Sequence, residues 1–86
     1  MPEICRFFGI VVKMFFDDHN PPHFHAYYGE HEALIDIHNL SIFAGRLPPR
    51  AIGLVMEWAN IYQKELLDDW ARAQRHQPIL TIAPLE

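Results

Sequence analysis

Cysteine is almost missing from this chain. Cys5 is its only one, so no internal disulfide can form, and a reducing compartment is the expectation. Cys5 also has no paired histidine motif, which argues against a thiol nucleophile. No apolar run approaches the roughly 18 residues that a membrane-spanning helix needs. The opening residues Met-Pro-Glu-Ile-Cys-Arg lack the basic-then-apolar order of a signal peptide. A soluble cytoplasmic protein is therefore expected. Net basic charge is missing too, since 11 acids against 7 Lys and Arg give −4. That speaks against a general nucleic-acid binder, leaving room only for a small basic patch from Arg6, Arg46 and Arg50. There is no glycine-rich phosphate loop and no serine-centred elbow.

The most local absence carries the most information. Between Lys13 and Arg46 there is no Lys or Arg, yet five acids and five of the six histidines lie there. The densest part is Asp17-Asp18-His19-Asn20-Pro21-Pro22-His23-Phe24-His25. It sets two carboxylates and three imidazoles around a Pro-Pro turn, a pattern that points to a metal, a proton or a basic partner.

What is present is enough for one domain spanning residues 1–86. Half of the residues are hydrophobic and 13% are aromatic, and a chain of this length buries roughly 60–65% of its unfolded surface. Residues 6–16 are rich in β-branched and aromatic side chains with little alternation. They predict a central strand covered on both faces, with a bulge at Gly9. Asp17 to Pro22 has turn composition. Strands are predicted at 23–28, 32–37 and 41–45 as an antiparallel meander. From about residue 49 to 75 the apolar period becomes helical, through Ala51, Val55, Trp58, Ala59, Tyr62, Leu66, Trp70 and Ala73. Pro48-Pro49 suits the helix start, and Gln77-Pro78 ends it. A short terminal strand is predicted at 79–82. The fold class is α+β: a small antiparallel sheet of about four strands plus the terminal one, packed on one long helix.

Strand alternation places His23, His25 and Tyr27 on one face and Phe24, Ala26 and Tyr28 on the other. With Phe24 facing the helix, the two histidines become solvent-facing neighbours able to ligate one divalent ion such as zinc. Asp17, Asp18 or His19 from the loop, or Asp36 or His38 from the next strand, would complete it. Three protein ligands plus water is the arrangement of a catalytic zinc site. In the alternative reading the imidazoles only pair with nearby carboxylates, while Asp17 and Asp18 hydrogen-bond the turn. A third reading is a surface that titrates near neutral pH and docks a basic partner. Arg46 and Arg50 flank the helix start, where free N–H groups favour an anion; the favoured reading is that both are solvated or pair with acids. Trp58, Tyr62 and Trp70 share the apolar stripe and belong to the core.

Several blocks together resemble a known bacterial family. These are Pro2-Glu3-Ile4, Arg6-Phe7-Phe8-Gly9-Ile10, the Asp17–His25 block, and Leu47-Pro48-Pro49-Arg50-Ala51 before Glu57-Trp58. They are similar to Domain of Unknown Function 4160 over nearly the whole chain. The resemblance supplies no catalytic residue. It implies a small partner protein of the family 2442 type and a two-protein module of toxin–antitoxin kind, with this chain on the toxin side. Should the chain be an enzyme, RNA or phosphodiester cleavage is the expected reaction. His23 or His25 would act as general base or metal ligand, Asp17 or Asp18 as orienter or ligand, and Arg50 as phosphate clamp. The competing expectation is a non-enzymatic interaction module, with homodimerisation through sheet edges open to it.

Overall fold

The computed structural model describes residues 3–86. Five strands form one antiparallel sheet in sequence order: β1 (Glu3–Phe7), β2 (Ile10–Lys13), β3 (His23–Tyr28), β4 (His31–Asp36) and β5 (Ser41–Gly45). Two helices follow, α1 (Pro49–Ile61) and α2 (Gln63–Gln74). The α+β class and the meander match the sequence reading. The details differ in three places, each with a local cause.

The predicted first strand is two strands. Phe7 pairs with Ile10 across a two-residue turn in which Phe8 and Gly9 have φ of 48° and 82°. Positive φ at both central residues is the hairpin geometry whose twist matches the flanking strands. Gly9 is therefore a turn residue and not a bulge. The turn itself is Phe8-Gly9, so no polar break marks it; β2 alternates by burial and lies inside the sheet, while β1 buries Ile4, Cys5 and Phe7 across an irregularity in its register.

The predicted single helix is two helices that meet at Tyr62, where φ is −109°. Backbone bonds from Tyr62 N to Trp58 O and from Leu66 N to Tyr62 O continue across the junction. The apolar period therefore runs on through it unbroken. Gln63 explains the break locally: its Nε2 donates to Ile37 O at 2.7 Å and to His38 O at 3.2 Å, tying the first turn of α2 to the end of β4.

The predicted terminal strand is irregular. Ile82 N donates to Ile4 O at 2.8 Å, and Ile82 and Leu85 are buried. One backbone bond does not make a ladder, but it covers part of the outer edge of β1. Among the described residues no strand pairs with the opposite edge, β5.

The core lies between one sheet face and the helices. In-register pairing lines up Val12, Ala26 and Ala33, and beside them Phe24 and Ile35, all fully buried. Trp58 of α1 closes this layer, with its ring 5.8 Å from Phe24 and 5.5 Å from Phe7. Burying a tryptophan removes about 150–250 Å² from water, roughly 4–6 kcal/mol before the entropy of ordering it. Its Nε1 donates to Ala83 O at 2.8 Å, which anchors the C-terminal segment.

Candidate metal centre

Pro21 and Pro22 deliver the chain into β3 at His23. Alternation then turns Phe24 and Ala26 to the core and His23 and His25 to the other face. That second face is not open at this point, which corrects the expectation of solvent-facing histidines. His23 is 5% exposed, and the His25 side chain is 12% exposed. The Trp70 and Phe43 rings each lie 5.3 Å from His23. Phe15 stands edge-on to His25 at 4.6 Å. The loop between β2 and β3 is held over this end of the sheet by α2, through Gln74 Nε2 to Asp18 O at 3.3 Å and Phe16 stacked on His76.

The loop brings Asp18 down onto both imidazoles. Asp18 Oδ2 lies 2.9 Å from His25 Nε2 and 3.2 Å from His23 Nε2. The three residues each offer a donor atom within 4.8 Å of the others. The outer nitrogens are also engaged. His23 Nδ1 lies 2.7 Å from Pro21 O, and His25 Nδ1 lies 3.1 Å from Glu32 Oε2.

These contacts set the tautomer of His23. A backbone carbonyl can only accept, so His23 Nδ1 carries its hydrogen and donates to Pro21 O. In the neutral ring Nε2 is then a lone pair facing a carboxylate oxygen. His25 has a carboxylate at each nitrogen, so a hydrogen on Nδ1 toward Glu32 again leaves Nε2 as a lone pair facing Asp18. Two lone pairs directed at one anionic oxygen repel unless a cation stands among them. A metal ion placed among them would meet all three donor atoms. An outer N–H fixed on a carbonyl or carboxylate is also the usual support of a metal-binding histidine.

The other predicted residues fall outside this group. Asp17 and His19 are exposed in the loop. Asp36 pairs in register with His23, but its Oδ1 accepts from His38 N and Asn39 N and so caps the turn into β5. His38 is exposed. Arg50 is exposed in the first turn of α1, with no ion pair or hydrogen bond to the cluster among the described residues. Arg6 is held by Glu3 at 2.8 Å. Cys5 is buried, and burial pushes its thiol up from the usual range, as suits an inert core residue.

A family described as Domain of unknown function (DUF4160) matches residues 9–71. The chain belongs to this family. No curated protein and no solved structure matches it. The DUF4160 match runs from the first hairpin turn into α2, so it contains Asp18, His23, His25 and Glu32 together.

Two polar residues escaped the sequence reading, one at this centre and one apart from it. Glu32 is on β4, where His25 pairs with Leu34, so Glu32 is its diagonal neighbour. The signal was an acid two residues from the cross-strand partner, on the same face. Asp69 is fully buried on α2. It stands on the apolar stripe, three residues after Leu66 and four before Ala73, and an acid on that stripe was the legible sign.

Proposed function

We propose that this DUF4160 protein holds a divalent metal ion on Asp18 Oδ2, His23 Nε2 and His25 Nε2. The observation that carries this reading is the convergence of both Nε2 atoms on one carboxylate oxygen while both Nδ1 atoms face fixed acceptors. The spacing supports it. Donors about 2.0–2.1 Å from a tetrahedral ion stand about 3.3–3.4 Å apart, against 3.2 and 2.9 Å here. A shift of a few tenths of an ångström admits the ion. Two imidazoles and one carboxylate suit zinc or iron and leave coordination positions for solvent and substrate.

An ion held by Asp18, His23 and His25 would supply Lewis-acid activation of water at this site. The reading that follows is a small cytoplasmic hydrolase, acting on RNA or another phosphodiester, as the toxin side of a two-protein module. Asp18, His23 and His25 hold the ion, Glu32 orients His25, and Trp70 and Phe43 keep the site dry, which strengthens its electrostatics. The purified protein is expected to carry one metal per chain and to cleave RNA when loaded with Zn²⁺ or Mn²⁺. Metal bound in stoichiometric amount without RNA cleavage would keep the centre and remove the phosphodiester assignment.

A second reading, an interaction module, is favoured by the open edge strand. Ser41–Gly45 carries no charged residue, and Phe43 is 47% exposed. Uncharged open edges pair readily with another strand, from a partner protein or a second copy. Binding that survives His23→Ala/His25→Ala but not a charged substitution at Phe43 would support this reading over the metal centre.

A further inference from the structure

Asp69 is a second polar centre, sharing no residue with the first. It is fully buried on α2, with Glu65 one turn before it and Arg72 one turn after. Its Oδ1 accepts from Arg72 Nη1 at 2.8 Å and from Leu80 N at 2.9 Å. Its Oδ2 is buried as well and accepts from nothing among the described residues. Burial pushes the Asp69 carboxyl up from its ordinary range, against the lowering pull of the Leu80 N–H and Arg72. Native structures leave few such oxygens without a donor, and each one calls for an explanation.

Beside this carboxylate a groove of about 290 Å³ opens between α2 and the segment 80–83. One wall is apolar, made by Tyr62, Leu80 and Ile82. The other presents Glu65, Asp68 and Asp69 against Arg72 alone. Arg72 is already bound to Asp69, and among the described residues Asp68 is met only by Lys64, whose side chain is 86% exposed. Three carboxylates therefore face one guanidinium at the groove. An anion would be repelled, and a purely apolar ligand would leave Oδ2 unpaired. A primary ammonium carries three donors and a compact charge. The volume lies at the lower end of small-molecule sites, which are about 300–1,000 Å³, and so fits a short chain.

We propose that this groove binds a small alkylamine as its ammonium, which donates to Asp69 Oδ2 and Glu65 while the alkyl chain lies along Tyr62, Leu80 and Ile82. The test is a titration of the full chain with n-butylamine at neutral pH, beside n-butanol and butyrate, followed by the amide resonances of residues 80–83. Saturable binding of the amine alone is expected, weakened about tenfold or more by Asp69→Asn and less by Glu65→Gln, with His25→Ala unchanged. Circular dichroism checks the fold of Asp69→Asn. If that variant does not fold, the exposed Glu65→Gln carries the comparison. Equal binding of butanol or butyrate, wild-type affinity in Glu65→Gln and in folded Asp69→Asn, or no saturation by about 10 mM amine overturns the proposal.

Discussion

His25 Nε2 lies 2.9 Å from Asp18 Oδ2, a contact that pins the loop after β2 to the middle of the strand it leads into. Because His25 Nδ1 already faces Glu32, this contact gives the ring an anion at each nitrogen. The predictions for this site follow from that convergence of donor atoms.

Glu32 touches the centre only through His25. Glu32→Gln keeps the size of the side chain and removes the charge that orients the ring. Loss of such a support usually lowers metal affinity about 10–100-fold. Competition for Zn²⁺ against a chromophoric chelator measures it, and unchanged affinity would remove Glu32 from the centre.

Asp69 makes stability depend on pH in a defined direction. Burial raises its folded-state pKa above the unfolded value of 3.8. Between the two values the folded state holds more protons than the unfolded state, so stability falls as pH rises. The contribution is fully present below the unfolded pKa and is lost as pH rises through the folded one. Asp69→Asn cannot titrate there. The stability of the wild type relative to Asp69→Asn should therefore decline with rising pH across that window, in urea unfolding at a series of pH values. Parallel profiles would contradict this. Asp69→Ala strands the Leu80 N–H and Arg72 and should cost about 1–3 kcal/mol.

Gly45 closes β5 with φ of 75°, and an added Cβ would collide with Glu32 O and crowd Ala33 Cα. Gly45→Ala therefore combines left-handed strain with a backbone clash at the Glu32 end of β4. A loss of about 1–3 kcal/mol is expected, or more where β4 must move. Thermal unfolding measures the loss. The same variant should weaken metal binding if Glu32 is displaced.

Much of this fold was legible because its signals are local. The meander announced itself through short apolar runs separated by turn residues, and the stripe from Ala51 to Ala73 named the buried helix face apart from Tyr62, which is half-buried. The hairpin at Phe8-Gly9 was hidden because a non-glycine residue takes a positive φ there without any polar break. The helix junction at Tyr62 was hidden because its cause, Gln63 bonding to Ile37 O, is a contact across 26 positions. The His23/His25 pairing could be read from strand periodicity. Its burial could not, since Trp70 and Phe43 arrive from elements distant in sequence. Likewise Asp18, rather than Asp17 or His19, meets the imidazoles because of the path of the loop, which composition does not encode.

The central claim is a metal on Asp18, His23 and His25, and elemental analysis of the purified protein tests it most directly. Wild type, His23→Ala/His25→Ala and Asp18→Asn are to be measured after Zn²⁺ loading and exhaustive desalting, with circular dichroism confirming that each is folded. The account predicts about one zinc per wild-type chain and far less in either folded variant. A wild-type protein that emerges without stoichiometric metal, or folded variants that retain as much as the wild type, would contradict it and leave the cluster as imidazoles hydrogen-bonded to carboxylates.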